Sequence, residues 1–383
     1  MKLLFIILFF LPALCFGQTT TEKIIHSKFL NQDRKIWVNT PENYELKKDS
    51  LSLVFVLDAD NKTLFDYAVA SKRFIENNSI DLSEFNAPES IIIGIDQQDD
   101  RFNEFITNAD TFLLYLTSEV LPFIHKNYRT KNYNILIGHS LAGRFAIFSF
   151  LSKPETFNAV IAASPAFGQK NIQRIENKFD SLTHIGFTKD RALFISTTYL
   201  KNDNTEEQFR EFTESLKTKF SKQEISNFRI MFDSSSSFGH GKSPYFSIPE
   251  GLHFIYDPKL WHINYDSTFD KSGKVNLAYL DKYKKNIYNL FGVTFSLNRF
   301  NNSIIYQLEQ ENKKAELQNS MLQMVDNNPT DLYIFGKLLS NLKKSKSGKY
   351  QTYLTIFNKT MNILKIPKEE QTERLNEIEK NSR

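Results

Sequence analysis

The run Ile135-Leu136-Ile137-Gly138-His139-Ser140-Leu141-Ala142-Gly143 passes from a short, wholly apolar strand into a helix. The turn between them carries small residues two before and two after a serine. Such residues let the chain turn sharply, so that the serine hydroxyl projects at the strand's end. The helix N-terminus just beyond supplies unpaired backbone N–H groups and the positive end of the helix dipole. Those groups suit a developing oxyanion. Ser140 is therefore a candidate nucleophile, and the Leu141 amide a candidate oxyanion donor.

The same alternation of strand and helix extends outward from that turn. On its N-terminal side, Lys35 to Val38, Leu51 to Leu57 and Ile91 to Ile95 read as strands. Apolar residues at Phe112, Leu113, Leu116, Val120, Leu121 and Ile124 fall at helical spacing. On its C-terminal side come a helix from Leu141 to Leu151, strands at Ala159–Ala163 and Ala192–Ser196, a helix from about Thr205 to Phe220, and a strand at Phe228–Phe232. Strands without polar alternation, separated by helices, imply a parallel sheet covered on both faces. Ligand chemistry on such sheets sits at the C-terminal edge of the strands. After about Trp261 the character becomes helical, with amphipathic stretches at Leu277–Leu290, Ser303–Val325, Thr330–Leu342 and Tyr353–Leu364. Asn328-Pro329 breaks two of these, and the charge-rich tail after Pro367 is expected to fray. The expected organisation is an α/β domain over 18–262 and a helical region over 263–383.

Composition narrows the class. The 383 residues are 41% hydrophobic and 24% charged, which excludes wholesale disorder. A net charge of +4, without a basic block interleaved with aromatics, does not suit nucleic acid. Met1-Lys2 followed by the apolar run Leu3 to Phe16 and Gly17 describes an export signal over 1–17. That run is too short for a comfortable membrane span. Leu14 before Cys15 departs from a lipoprotein signal, so a periplasmic or extracellular location is expected over a lipid anchor. Removal of residues 1–17 takes away the single cysteine. A cysteine nucleophile and a disulfide are then excluded, and a nucleophile would be an oxygen or a lysine.

A serine needs a base. Among seven histidines, His240 stands out, because Ser234 to Gly241 is a polar, glycine-flanked loop directly after the last strand. A loop histidine at that edge can reach the serine. His139 adjoins Ser140 but is expected to point away. The third member is a carboxylate after the Ala192–Ser196 strand, to orient the imidazole. Asp203, preceding the helix, is the choice; Glu206 and Glu207 are read as helix-capping alternatives, and a serine–histidine dyad stays open. The loop Asp58-Ala59-Asp60 should give the second oxyanion donor, through the Ala59 or Asp60 amide. Paired aspartates without a histidine or further carboxylate do not make a metal site, and no cofactor is called for.

Further segments strengthen the picture: Trp37–Tyr44 (WVNTPENY), Val56–Asp60 (VLDAD), Gly94 through Arg101 with Phe105, Ile137–Gly143 (IGHSLAG), Ala163–Phe167 (ASPAF) and Gly239–Tyr256 (GHGKSPYFSIPEGLHFIY). In this order, over roughly residues 30–262, the chain resembles the Putative esterase family of α/β-hydrolases, which includes esterase D-like enzymes and periplasmic siderophore esterases. The resemblance implies an α/β-hydrolase fold and ester hydrolysis. It places the nucleophile on Ser140 and the base on His240. One departure is Ala59, where the family commonly has glycine; another is the acid, which has no clean counterpart between Thr198 and Asn204.

The leading expectation is an exported serine esterase acting on a small-molecule, siderophore or glycan ester, with Arg101 in a loop that could meet a substrate carboxylate or catecholate or else form a surface salt bridge. A non-catalytic binding protein that presents its C-terminal helices to a protein partner, and an acyltransferase, are the alternatives.

Overall fold

The computed structural model describes residues 19–47, 49–76, 87–97, 100–167, 172–200, 202–221, 225–261, 264–269, 275–292 and 301–382. The expected export signal, Cys15 included, lies outside the described residues, as does the expected junction at 262/263.

Eight strands form one sheet in the order β1-β2-β4-β3-β5-β6-β7-β8. They are β1 (Thr19–Ser27), β2 (Gln32–Thr40), β3 (Leu51–Val56), β4 (Ser90–Ile95), β5 (Thr130–His139), β6 (Ala159–Ala163), β7 (Arg191–Thr198) and β8 (Phe228–Ser236). β1 and β2 pair antiparallel, as do β2 and β4. Every pairing from β4 through β3 to β8 is parallel. Parallel neighbours need crossovers, and each crossover covers a face of the sheet.

Alternation along each strand sorts the core into two layers. Val54, Val56, Ile135, Ile137 and Ile161 face one side, where they meet α1 (Lys62–Glu76) and α7 (Ser243–Ile255). Leu53, Phe55, Leu136, Val160 and Ala162 face the other. That side holds α2 (Ala109–Tyr115), α3 (Leu121–Asn127), α4 (Leu141–Ser152), α5 (Ile172–Ile185) and α6 (Asn204–Phe220). α4 is buried on nearly every position, which suits its almost wholly apolar sequence. Gly251 of α7 lies so close to β6 that an added Cβ would sit 2.8 Å from Ile161. That approach seats α7, and with it the loop carrying His240, directly on the sheet.

The first layer continues into the C-terminal helices: α8 (Pro258–Trp261), α9 (Tyr265–Thr268), α10 (Leu277–Phe291), α11 (Asn301–Gln310), α12 (Lys314–Asn327), α13 (Leu332–Lys344), α14 (Tyr350–Ile363) and α15 (Lys368–Asn381). Phe291 of α10 packs 5.7 Å from Tyr133 of β5 and 5.2 Å from Tyr256 after α7, ring centre to ring centre.

Two readings change here. The single helix expected over Ser303–Val325 is two, α11 and α12, because the chain turns at Asn312 with φ of 53°. The tail after Pro367 does not fray but forms α15, whose Ile378 is buried and whose Glu379 pairs with Lys343 of α13. β1, α1 and α5 were not foreseen. For β1 the reason is plain: it is a largely exposed edge strand with no apolar alternation to betray it.

Candidate active site

Ser140 sits between β5 and α4 with φ of 59° and ψ of −120°. A non-glycine residue there is strained, and such strain persists only when its surroundings over-determine it. The surroundings do so: the Ser140 amide donates to the Ala163 carbonyl at 3.0 Å, and the Ser140 carbonyl accepts from Ala166 N at 3.0 Å and Arg144 N at 3.1 Å. Gly138 is obligatory. A Cβ there would lie 2.3 Å from the Ala142 carbonyl oxygen, a backbone atom that cannot step aside. The glycine before the serine is therefore a steric requirement of folding α4 back over the end of β5.

His240 opens a short 3₁₀ turn (His240–Lys242) ahead of α7, and its side chain is 25% exposed. Its Nδ1 is hydrogen-bonded to Glu206 Oε1. Glu206 Oε2 accepts from the Thr198 amide at 3.0 Å and from Ser164 Oγ at 3.2 Å. The Glu206 side chain is 0% exposed. Burial pushes its carboxyl up, but the bonds from His240, Thr198 and Ser164 outweigh that and hold it below the usual value. An ionised carboxylate only accepts, so Nδ1 carries a proton, and in the neutral ring Nε2 is then the basic nitrogen.

Asp203, the acid expected from the sequence, stands elsewhere. It is the N-cap of α6 and accepts from the Glu206 amide at 3.2 Å. Glu206, one turn into the helix, is thereby freed from capping and turns toward His240. Glu207 shares the first turn, but its neighbour alone lies on the buried stripe Glu206, Phe209, Thr213, Leu216, Phe220. A lone acid three, six and ten residues ahead of Phe209, Phe212 and Leu216 was the available signal.

The loop after β3 turns through Asp58, with φ of 57°. The Ala59 amide donates to the Ile95 carbonyl at 2.9 Å, which takes it out of the expected oxyanion pair. The Asp60 amide has no hydrogen-bond partner among the described residues. The Leu141 amide heads α4, where first-turn amides have no intrahelical acceptor. Arg101 does not stand alone at the lip of the site. Its Nε and Nη2 donate to Asp58 Oδ1 at 2.8 Å and Oδ2 at 2.6 Å, a two-bond clamp that leaves the guanidinium side chain 39% exposed. Among the described residues no group of three or more His, Cys, Asp or Glu is placed to hold a metal, and no helix is long and apolar enough to cross a membrane.

A mostly parallel sheet in this strand order, with a strained serine at the β5–α4 turn, an acid from the β7–β8 crossover and a histidine after the last strand, defines an α/β-hydrolase. The chain belongs to the Putative esterase family, whose model matches residues 27–255, and so falls in the broad class of ester hydrolases. Among solved structures it is similar to an IroE-like serine hydrolase from Shewanella oneidensis (17% identity, 80% of this chain and 98% of that one, TM-score 0.60). It is also similar to an uncharacterised protein from Capnocytophaga ochracea (17% identity, 89% and 93%, TM-score 0.58). A third similar structure is the BES protein from Bacillus cereus (18% identity, 61% and 94%, TM-score 0.51). No curated protein sequence matches the chain.

Proposed function

We propose that this protein is an exported serine hydrolase that cleaves small-molecule carboxylic esters through an acyl-enzyme on Ser140. The observation that carries this reading is the buried Glu206 carboxylate on His240 Nδ1, with His240 packed against His139, the residue next to a serine held in a strained turn. His240 Nε2 takes the Ser140 proton as Oγ attacks the ester carbonyl. Glu206 holds the tautomer and offsets the imidazolium charge. The Asp60 and Leu141 amides receive the oxyanion. The tetrahedral adduct collapses, His240 returns the proton to the departing alcohol, and water repeats the sequence to release the acid. Arg101, clamped by Asp58, presents its outer edge to an anionic part of the substrate. The N-terminal apolar segment supports export.

Labelling with a fluorophosphonate probe, followed by peptide mapping and a panel of esters, tests the reading. Probe on Ser140 together with ester turnover is expected. A folded protein that neither reacts nor turns over esters would leave the binding-protein alternative. An ester formed in place of free acid when alcohols are supplied would mark an acyltransferase.

The oxyanion loop gives a second test. A Cβ on Gly94 would lie 2.7 Å from the Ala59 Cβ and 2.7 Å from the Phe65 ring, so Gly94 is what makes room for Ala59. Gly94→Ala should displace the 59–60 segment and lower kcat by about 10- to 100-fold, since a single oxyanion donor is worth up to that order or more. Adding Ala59→Gly removes one of the two clashes and should recover part of the loss. Steady-state kcat of the single and double variants on an acetyl ester reads this directly. An unchanged kcat in Gly94→Ala would remove the loop from the mechanism.

A further inference from the structure

We propose that His139 is a positioning residue for His240: it ties the His240 backbone to the nucleophile's own strand and lays a neutral ring beside the imidazolium that forms in turnover. The proposal rests on His240 being the base.

His139 is the last residue of β5, one step before Ser140. The sequence alone suggests that it points away from the site. Instead its Nε2 lies 2.9 Å from the His240 carbonyl oxygen. A carbonyl only accepts, so Nε2 carries the hydrogen. Ser243 Oγ donates to the same carbonyl at 2.9 Å. The Ser243 amide also donates to it, closing the 3₁₀ turn, so that one oxygen joins the strand of the nucleophile to the start of α7. The separation of Ser140 and His240 is thereby set through one side chain and one peptide unit instead of through the whole β6–β8 crossover. Catalytic geometry is sensitive on this scale, since a displacement of about 1 Å costs on the order of 10²-fold.

The two imidazoles also lie against each other, tilted at 39° with ring centres 4.7 Å apart. A neutral aromatic face within ~6 Å of a cation attracts it, whereas a charged one would repel it. Burial first, then the proximity of His240, pushes the His139 imidazole down to about 4, so it stays neutral while His240 cycles. The ionisable groups around the pair are Glu206 on α6 and Arg101 ahead of α2, the latter clamped by Asp58.

The two roles separate by substitution. His139→Phe keeps an aromatic face and loses the donor. His139→Gln keeps a donor and loses the face. On an activated acetyl ester, each should lower kcat by about 10-fold or more with KM within about 3-fold, as expected when geometry at the reacting atoms is lost. In His139→Gln the acid limb of kcat/KM against pH should move down by about half a unit, because a cation–π contact no longer favours the charged imidazole. In His139→Phe that limb should not move down. Two folded variants with wild-type kcat and superimposable pH profiles would overturn the proposal. In the wild-type protein, ¹⁵N NMR of the histidines gives a reading that needs neither variants nor turnover. His139 Nε2 should be the protonated nitrogen at pH 7, and the ring should stay neutral at pH 5. The opposite tautomer, or a charged ring at pH 7, would sink the tether. A wild type without esterase activity but with this NMR signature would overturn the functional reading and leave the tether standing.

Discussion

Replacing Ser140 with alanine should lower turnover of an activated acetyl ester by about four to six orders of magnitude, the usual cost of removing a serine nucleophile from a preorganised site. The fold should survive, because the bonds that hold position 140 are backbone bonds to Ala163, Ala166 and Arg144. Glycine makes the sharper test. At φ of 59° and ψ of −120° a side chain is a liability, and glycine adopts such angles freely. Relief of strain of about 1 kcal/mol or more should raise the thermal midpoint of Ser140→Gly above that of Ser140→Ala. A more stable, inactive Ser140→Gly would show that the strain serves the chemistry. Turnover by either variant within tenfold of wild type would remove Ser140 from the reaction.

Glu206→Gln should cost about 10³- to 10⁴-fold in kcat, with little change in KM. The amide places an N–H where His240 Nδ1 now meets an acceptor. To accept that hydrogen, the imidazole must move its own proton to Nε2, where it can no longer take one from Ser140. The Thr198 amide and Ser164 hydroxyl keep an oxygen acceptor on the other side, so the loss is one of tautomer more than of packing. Asp203→Asn should behave differently. Asparagine still caps α6, so both activity and stability should stay close to wild type. Asp203→Ala should cost about 1 kcal/mol of stability with kcat within a few-fold. If Asp203→Asn abolished activity while Glu206→Gln did not, the acid would be reassigned.

Low pH adds a check on the same carboxylate. The Glu206 carboxyl is held below its usual value in the folded protein. Its contribution to stability is therefore fully present above the ordinary glutamate range, and is lost as the pH falls through the depressed folded value. Denaturant midpoints measured down that range should fall less steeply in Glu206→Gln than in wild type.

Much of this site was legible in the residues. Gly138-His139-Ser140-Leu141-Ala142-Gly143 specifies the turn because the backbone of α4 leaves no room for a side chain at 138. Strand runs such as Leu51–Val56 and Ile91–Ile95 announce burial on both faces, and the topology follows from the helices between them. His240 was singled out by its place in a polar, glycine-flanked loop after the last strand. Asp203 was preferred as His240's partner because loop position was weighed over helical phase: Asp203 and Glu206 sit three residues apart, and only the buried stripe of α6 tells which one faces inward. The engagement of Ala59 and the contact of His139 were not readable at all. Both depend on atoms from other strands, Ile95 of β4 in one case and the loop after β8 in the other.

The sequence alone determined the central strands and most of the helices between them, the serine's turn, the histidine's loop and the family. Each rests on local steric rules or on the periodicity of apolar residues, which act over a few positions of chain. The tertiary structure decided which carboxylate meets His240, which amide of the 58–60 loop is engaged and which ring lies against His240. Those are meetings between residues 34 to 101 positions apart, and only the packing of crossovers on one sheet brings them within hydrogen-bonding reach.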